Sequence, residues 1–159
     1  CVTGRKLVVI ASPSFAIRDV CEAIAPYLEQ DAVMVSVTKG IEPETGLRMS
    51  QIVEQITQRP VVVLTGPSHA EEVAASIPTG CLAAHVDKEL AELVQDAFMS
   101  DAFRIYTSPD ALGAELGGLL SKPNNNLGVE YIRSFDETSI DRHIRVSILF
   151  KYLNHLSNA

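Results

Sequence analysis

Short apolar runs alternate with amphipathic segments along the first 110 positions of the chain. Five of the runs predict β-strands, at residues 6–11, 33–38, 61–65, 79–86 and 103–107. A strand that is apolar at almost every position is typical of a sheet that helices cover on both faces. Strands that alternate with helical patterns are typical of parallel strands joined by crossover helices. The pattern therefore predicts an α/β fold with a mostly parallel sheet flanked by helices.

Amphipathic stretches between the strands predict the helices that cover this sheet. Residues 17–28 repeat apolar side chains along one helical stripe, and Ser14 is the predicted N-cap of that helix. Residues 90–98 repeat the pattern after a predicted N-cap at Asp87. A further helix is predicted to begin with Pro109 at its first position, which proline favours.

The pattern of the chain changes after Gly118, where the regular alternation of strands and helices ends. Residues 121–128, with the letters SKPNNNLG, have the composition of turns and loops. Apolar positions within residues 140–156 then predict one last amphipathic helix. We therefore divide the chain into a domain of residues 1–120 and a divergent loop with a short α-helical C-terminal tail, residues 121–159.

The charge of the chain narrows the classes of partner. Its 159 residues include 20 acidic and 13 basic side chains, a formal net charge of −7, and the basic residues are scattered. Nucleic acids and anionic membranes are therefore not expected as partners. No apolar run is long enough to span a bilayer, and the first residues lack the pattern of a signal peptide. We expect a cytoplasmic protein with a small-molecule ligand.

Cysteine usage and residue spacing limit the chemistry further. Cys1, Cys21 and Cys81 are an odd number of cysteines without metal-ligand spacing, so we expect reduced structural thiols and no metal site. Spacing alone indicates no Ser-His-Asp, Cys-His or paired-carboxylate arrangement. The remaining candidates are residues placed at the ends of strands.

Two loops at strand ends carry the residues best suited to bind an anion. Lys39 directly follows the strand at 33–38, where its ammonium group would meet a ligand. The letters TGPSHAEE, residues 65–72, follow the next strand; Gly66 allows close backbone approach, and Ser68 supplies a hydroxyl before a predicted helix. In open parallel sheets ligands bind outside the carboxyl ends of strands, and helix N-termini suit phosphate or carboxylate groups.

Each of these features also has a purely structural explanation. A lysine after a strand is usually a solvated loop residue, and Gly-Pro-Ser before a helix is often only a turn and a cap. Glu71 and Glu72 suit a helix N-terminus electrostatically, and the four histidines fit surface or packed positions. The residues alone therefore leave a ligand site and an ordinary turn as alternatives.

The chain resembles the NAD(P)-dependent glycerol-3-phosphate dehydrogenases in four segments that follow in the family's order within residues 8–118: VVIASPSFAIRDV, VSVTKGIEPETG, VVVLTGPSHAEEVAASIPTG and FRIYTSPDALGAELGG. The resemblance implies that residues 1–120 form part of a Rossmann-like domain that binds NAD or NADP. It also implies reduction of dihydroxyacetone phosphate to sn-glycerol 3-phosphate, a step in the synthesis of phospholipid precursors.

The matching motifs imply roles for particular residues. Lys39 would contact both the cofactor and the substrate, Gly66 and Ser68 would contact the substrate, and Ala70 would contact the cofactor. Three further residues match the turn that flanks the nicotinamide cleft in this family: Ser12, Pro13 and Ser14. The segment Gly66–Pro67–Ser68, which we call the GPS loop, would then form a wall of the cleft between the cofactor and a phosphorylated substrate.

The chain departs from the family pattern in two places. It begins after the βαβ unit with the G-x-G-x-x-G turn that holds the pyrophosphate in the family, so we expect a sheet that lacks its first βαβ unit. After ELGG the family continues with two apolar residues and a Lys-Asn pair, whose lysine transfers the proton. Here the candidate catalytic residue, Lys122, lies one position late, and one residue rotates a helical side chain by about 100°.

These departures leave several alternatives for the chain as a whole. It is either a fragment or the product of a rearranged gene, or it is a genuine short protein that binds phosphorylated ligands or assembles without catalysis. A dehydrogenase of the same architecture that acts on another hydroxy acid is a third possibility. Because a sheet without its first unit exposes a strand edge, we also expect a homo-oligomer. The sequence does not indicate which of NAD and NADP is preferred.

Overall fold

A five-stranded sheet forms the centre of the part of the chain that the computed structural model describes, namely residues 2–68 and 73–120, the last two by their backbone alone. Its strands are β1 (Leu7–Ile10), β2 (Val33–Ser36), β3 (Val61–Thr65), β4 (Thr79–Ala84) and β5 (Phe103–Ser108). They lie side by side in the order in which they occur along the chain. All five match predicted strands.

Three of the four strand pairings are parallel, which confirms the prediction of a mostly parallel sheet. The exception is the antiparallel pair of β3 and β4, in which Leu64 lies opposite Ala83. The antiparallel step between β3 and β4 is compatible with that prediction. Antiparallel neighbours need only a short connection, whereas parallel neighbours need a crossover, here a helix. As a result, the carboxyl ends of β1, β2 and β3 lie at the same edge of the sheet as the amino ends of β4 and β5.

Four α-helices accompany the sheet within the described residues: α1 (Ile17–Ile24), α2 (Met49–Thr57), α3 (Lys88–Phe98) and α4 (Ala111–Leu120). Short 3₁₀ turns precede and follow α1, at Ser14–Ala16 and Ala25–Tyr27. The sequence analysis located α1, α3 and α4 but not α2. None of the helices in the described residues is long and apolar enough to cross a membrane.

Both faces of the sheet carry an apolar core, because successive strand residues point to opposite faces. Met34 of β2 packs in a cluster with side chains of α1 and α2, whereas its neighbour Val35 packs in a cluster with Val94 of α3. The thiols of Cys21 and Cys81 are buried in these two clusters, and burial raises the pKa of Cys21 to about 11. This burial agrees with the expectation of structural thiols at these two positions.

The starts of the helices test the predicted caps. Asp87 caps α3 as predicted, since its carboxylate accepts a hydrogen bond of 2.9 Å from the backbone N–H of Glu89. The predicted cap at Ser14 is wrong: Ser14 lies in the preceding 3₁₀ turn, and Ala16 is the N-cap residue of α1 without a side-chain cap. The 3₁₀ turn delays the start of the helix, so the serine side chain is too early in the chain to reach its first N–H groups.

The start of α4 also differs from the prediction. The helix begins at Ala111 rather than at Pro109. The Asp110 carboxylate accepts a hydrogen bond of 2.8 Å from the backbone N–H of Gly113, and the Ser108 hydroxyl accepts one of 3.1 Å from the N–H of Asp110. The side chain of an aspartate cap can accept a hydrogen bond from an N–H group of the first turn, whereas a proline side chain cannot. Because Asp110 takes the cap position, Pro109 lies in the connection before the helix.

The edge of the sheet at β1 bears on the predicted homo-oligomer. Within the described residues β1 pairs with β2 alone, and Val9 at its centre is 43% exposed. An unpaired edge strand can associate with another chain. Self-association stays a prediction.

The predicted helix of the C-terminal tail lies outside the described residues.

Candidate functional site

Three loops that follow parallel strands meet at the carboxyl edge of the sheet. Residues 11–14 follow β1, residues 37–40 follow β2, and residues 66–68 follow β3. Because the three strands are parallel neighbours, their carboxyl ends lie side by side, where ligands bind in sheets of this kind. We call this region, formed by the three loops, the carboxyl-edge site.

Lys39 and Gly66 are in direct contact at this site. Lys39 Nζ donates a hydrogen bond of 3.0 Å to the carbonyl oxygen of Gly66, and the bond is exposed to solvent. An ammonium group has three donors, and this is the one hydrogen bond from Lys39 Nζ to another of the described residues. The group therefore keeps donors for an anionic or carbonyl ligand. The structure thus brings together two of the residues that the sequence analysis selected.

Gly66 occupies a position where no side chain fits. A Cβ added to Gly66 would lie 2.7 Å from the carbonyl oxygen of Gly80 and 2.9 Å from Cys81 Sγ. The thiol of Cys81 also donates a hydrogen bond of 3.4 Å to the hydroxyl oxygen of Ser68. The GPS loop therefore lies directly against β4, and this contact fixes the position of the Gly66 carbonyl group that Lys39 binds.

The loop after β1 lies beside the loop after β2. The hydroxyl of Thr38 donates a hydrogen bond of 2.8 Å to the carbonyl oxygen of Ser12. Gly40 lies against Ser14, because a Cβ placed on Gly40 would be 3.2 Å from Ser14 Cβ. Pro13, between the two serines, is exposed. The three residues of the predicted nicotinamide turn therefore lie next to the loop that carries Lys39.

Helix α4 contributes a residue that the sequence analysis did not assign to the site. A Cβ added to Gly118 would collide with Thr65 Oγ1 and would lie 3.8 Å from Lys39 Cε. The glycine therefore allows α4 to approach the end of β3 and the lysine side chain at the same time. The signal in the sequence was the pair of small residues in ELGG, which permits close packing.

Three buried hydroxyl groups near the carboxyl edge have no hydrogen-bond partner among the described residues: Ser12 Oγ, Ser36 Oγ and Thr65 Oγ1. Ser36 ends β2, Thr65 ends β3, and Ser12 lies two residues beyond β1. Buried polar groups in native proteins are almost always hydrogen-bonded, to protein, water or a ligand. These orphaned hydroxyls therefore mark an edge whose polar groups suit a bound molecule.

An ion pair fastens the loop that carries Lys39. Arg18 of α1 binds Glu42 with both ends of its guanidinium group, at 2.5 Å from Nε to Oε1 and 2.7 Å from Nη2 to Oε2. The hydroxyl of Thr45 donates to the same carboxylate. These hydrogen bonds, with that from Arg18 the largest cause, lower the pKa of Glu42 to about 2. The loop after β2 is thus tied to α1.

Some of the predicted site residues fall outside the described residues. Ala70 and the candidate proton-transfer residue Lys122 are among them; His69, which was not assigned to the site, also lies outside the described residues. His85 is described and lies away from this site, where its Nδ1 accepts a hydrogen bond of 2.9 Å from the backbone N–H of Asp87. The described residues contain no group of three or more His, Cys, Asp or Glu side chains that could hold a metal ion.

Comparison with known proteins identifies the family. Residues 1–91 match the family model described as NAD-dependent glycerol-3-phosphate dehydrogenase N-terminus. The chain is 51% identical over 114 residues to the glycerol-3-phosphate dehydrogenase [NAD(P)+] of Clostridium acetobutylicum, covering 71% of this chain and 34% of that protein. It is 47% identical over 123 residues to the enzyme of the same name from Listeria monocytogenes serotype 4a, covering 75% of this chain and 36% of that protein.

Solved structures show the same relationship. A glycerol-3-phosphate dehydrogenase from Coxiella burnetii superposes with a TM-score of 0.69 at 25% identity, over 97% of this chain and 46% of that one. The structure of the enzyme from Dunaliella salina gives a TM-score of 0.70 at 22% identity, over 99% of this chain and 27% of that one, which supports the fold. The chain spans about a third of the length of the curated relatives it matches. The family model covers more than half of the chain. The chain therefore belongs to the NAD-dependent glycerol-3-phosphate dehydrogenase family, and its residues 1–91 match the N-terminal part of that family.

Proposed function

We propose that the carboxyl-edge site binds the reacting parts of an NAD(P)H-dependent reduction of dihydroxyacetone phosphate to sn-glycerol 3-phosphate. The observation that carries the proposal is the contact between Lys39 Nζ and the Gly66 carbonyl oxygen, at 3.0 Å. It joins the two loops that the family motifs assign to the substrate. In this proposal Lys39 contacts the cofactor and the substrate, and Gly66 and Ser68 contact the substrate.

The chemistry of Lys39 suits an oxygen-rich substrate. An ammonium group donates hydrogen bonds in several directions and attracts both phosphate and carbonyl oxygens. The Gly66 carbonyl holds the group at one of its hydrogens, so the remaining donors have a defined direction. A fixed cation beside the substrate orients it without a reorganisation step, which is the usual source of electrostatic catalysis.

The residues present also fit the nicotinamide end of the cofactor. The orphaned hydroxyl of Ser12 and the turn through Pro13 and Ser14 lie beside the loop of Lys39, and together they offer polar groups at the sheet edge. When bound, NADH or NADPH supplies the hydride. These residues would hold and orient the nicotinamide ring, and the family motif gives Ala70 a contact with the cofactor.

The proton of the reduction is assigned to Lys122. The family resemblance supports this role, because Lys122 follows ELGG and two apolar residues more, although one position later than the family's lysine. A lysine can donate the proton that a substrate oxygen takes up on reduction. The displaced register also favours a second candidate function, a module that binds the phosphorylated ligand without oxidation or reduction.

Two measurements on the full chain separate these functions. Isothermal titration with glycerol 3-phosphate measures binding, with unphosphorylated glycerol as the matched ligand that lacks the anionic group. NADH absorbance in the presence of dihydroxyacetone phosphate measures turnover. Binding together with NADH oxidation supports the dehydrogenase, and binding without oxidation supports the non-catalytic module. Equal affinity for glycerol and glycerol 3-phosphate, or no binding of either, contradicts both.

A further inference from the structure

A carboxylate of α4 binds the start of α2, far away in the sequence. Glu115 Oε1 accepts a hydrogen bond of 3.0 Å from the backbone N–H of Ser50, and Glu115 Oε2 accepts one of 2.7 Å from the Ser50 hydroxyl. The guanidinium of Arg48, 67 residues away in sequence, also donates to Glu115 Oε2. The Glu115 side chain is only 9% exposed. We call Arg48, Ser50 and Glu115 the α2–α4 clasp.

The clasp supplies what the start of α2 needs. The first N–H groups of a helix have no partner within the helix, and its N-terminus attracts negative charge. The backbone N–H of Arg48 has a partner nearby in the sequence, since it donates a hydrogen bond of 3.1 Å to the side-chain oxygen of Gln51. Glu115 satisfies the N–H of Ser50, and charge-assisted bonds of this kind are short and directional. The clasp therefore fixes the position of α4 relative to α2.

The position of α4 bears directly on the carboxyl-edge site. Gly118 follows Glu115 by three residues, about one turn of helix, and so lies on the same side of α4. Gly118 is the residue that packs on Thr65 and comes close to Lys39 Cε. A shift of this turn toward the sheet would press on the lysine side chain, and a shift away would leave it without support.

We infer that Glu115 is a positioning residue: through the α2–α4 clasp it holds Gly118 of α4 against Thr65 and thereby keeps Lys39 Nζ at the Gly66 carbonyl. The effect on ligand binding rests on the proposed function, whereas the effect on Lys39 itself does not. No direct contact between Glu115 and a ligand is part of this inference.

The test measures two quantities separately in the full chain: the NMR signal of the Lys39 side chain and the affinity for the ligand. Reductive methylation with ¹³C-formaldehyde gives each lysine an NMR signal, and the variant Lys39→Arg identifies the signal of Lys39. Isothermal titration of the unmethylated chain with glycerol 3-phosphate gives the affinity. In Glu115→Ala we expect the Lys39 signal to shift and the affinity to fall by roughly threefold to thirtyfold, the usual range for coupling through packed side chains.

Three further variants keep the test decisive. Glu115→Gln keeps the shape and an acceptor for Ser50 but loses the charge, so the same changes should be smaller, and adding Arg48→Met to it should have little further effect. Glu92→Ala breaks an exposed ion pair with Lys88 on α3 and should leave both readouts unchanged. If Glu115→Ala does not fold, Glu115→Gln carries the test.

The outcomes distinguish this inference from the proposed function. A Lys39 signal that stays in place in the folded Glu115 variants overturns the inference, whatever the affinity. A Lys39 signal that moves in a chain that does not bind glycerol 3-phosphate supports the clasp and contradicts the proposed function. A signal that moves together with a fall in affinity supports both.

Discussion

Two regions of the molecule offer space for a ligand, and they differ in the state of their polar groups. One is the carboxyl-edge site. The other is a groove of about 740 Å³ along α2, which also takes in residues from the opposite edge of the sheet. We call it the α2 groove; its lining includes Gln51, Glu54, Gln58, Arg59, His85 and Val86. By volume alone the α2 groove would be a reasonable candidate for a site.

Hydrogen bonding separates the two regions. In the α2 groove, Arg59 donates to the carbonyl oxygens of Glu29 and Gln58, at 2.8 and 3.0 Å, and His85 accepts from a backbone N–H. At the carboxyl edge, three buried hydroxyls have no partner among the described residues, and Lys39 binds a single carbonyl oxygen there. The carboxyl edge therefore has polar groups that the fold itself does not use, and on that ground we prefer it to the α2 groove as the proposed ligand site.

Gly66→Ala should have the largest effect on the carboxyl edge. The added Cβ would lie 2.7 Å from the Gly80 carbonyl oxygen, and backbone cannot move aside easily. We expect a loss of about 1–3 kcal/mol in the free energy of unfolding, measured in urea, together with a loss of glycerol 3-phosphate binding. Gly117→Ala is the matched control, because its Cβ would meet nothing within 4 Å. A Gly66→Ala chain as stable as the wild type would show that the loop and β4 are not closely packed.

Lys39→Met should affect binding without affecting stability, because the lysine is exposed and its carbonyl partner can bind water. Loss of a charged hydrogen-bond donor weakens binding roughly tenfold to hundredfold, and isothermal titration with glycerol 3-phosphate measures this. Lys6→Met removes an exposed lysine near the other end of β1, 3.7 Å from Asp31, and should leave affinity unchanged. Equal affinities for the two variants would mean that Lys39 does not contact the ligand.

Asp87→Ala should give the opposite result, with a change in stability and none in affinity. Asp87 caps α3, whose start lies on the side of the sheet away from the carboxyl-edge site. Loss of an N-cap side chain costs about 1 kcal/mol in the free energy of unfolding. Asp87→Asn, which keeps a side-chain acceptor, should restore most of the loss. A weaker affinity for glycerol 3-phosphate in Asp87→Ala would show that the start of α3 and the carboxyl-edge site are coupled.

Much of the carboxyl-edge site could be predicted because it follows from local patterns. Apolar runs located the strands, and parallel neighbours bring their carboxyl ends together. Lys39 and Gly66, each just after such a strand, were both selected as candidate ligand residues, and they are in contact. The direction of β4 has no such local signal, because an antiparallel and a parallel strand have the same apolar pattern.

Helix α2 and the clasp show where local patterns do not suffice. The start of α2 at Met49 follows Arg48, which is not a typical N-cap residue, so no start signal marked the helix. The group that satisfies Ser50 is the carboxylate of Glu115, which belongs to another helix. The burial of the Thr65 hydroxyl without a partner likewise depends on how closely Gly118 packs against it. These features depend on contacts between residues far apart in the sequence. The local patterns of a single sequence do not reveal such contacts.

Glu42→Gln should have the smallest effect, and its dependence on pH should identify the cause. The pKa of Glu42 is about 2 in the folded chain, below its ordinary value of 4.5, because Arg18 and Thr45 bind the carboxylate. The stabilisation is therefore complete above about pH 4.5 and is lost as the pH falls toward about 2. The pair lies at the surface and is only partly buried, so its contribution is small: the variant should be slightly less stable at neutral pH and equal to the wild type in acid. Urea unfolding across this range measures the difference, with the exposed Glu54→Gln as control. A difference that does not change with pH would mean that the ion pair does not hold the Lys39 loop.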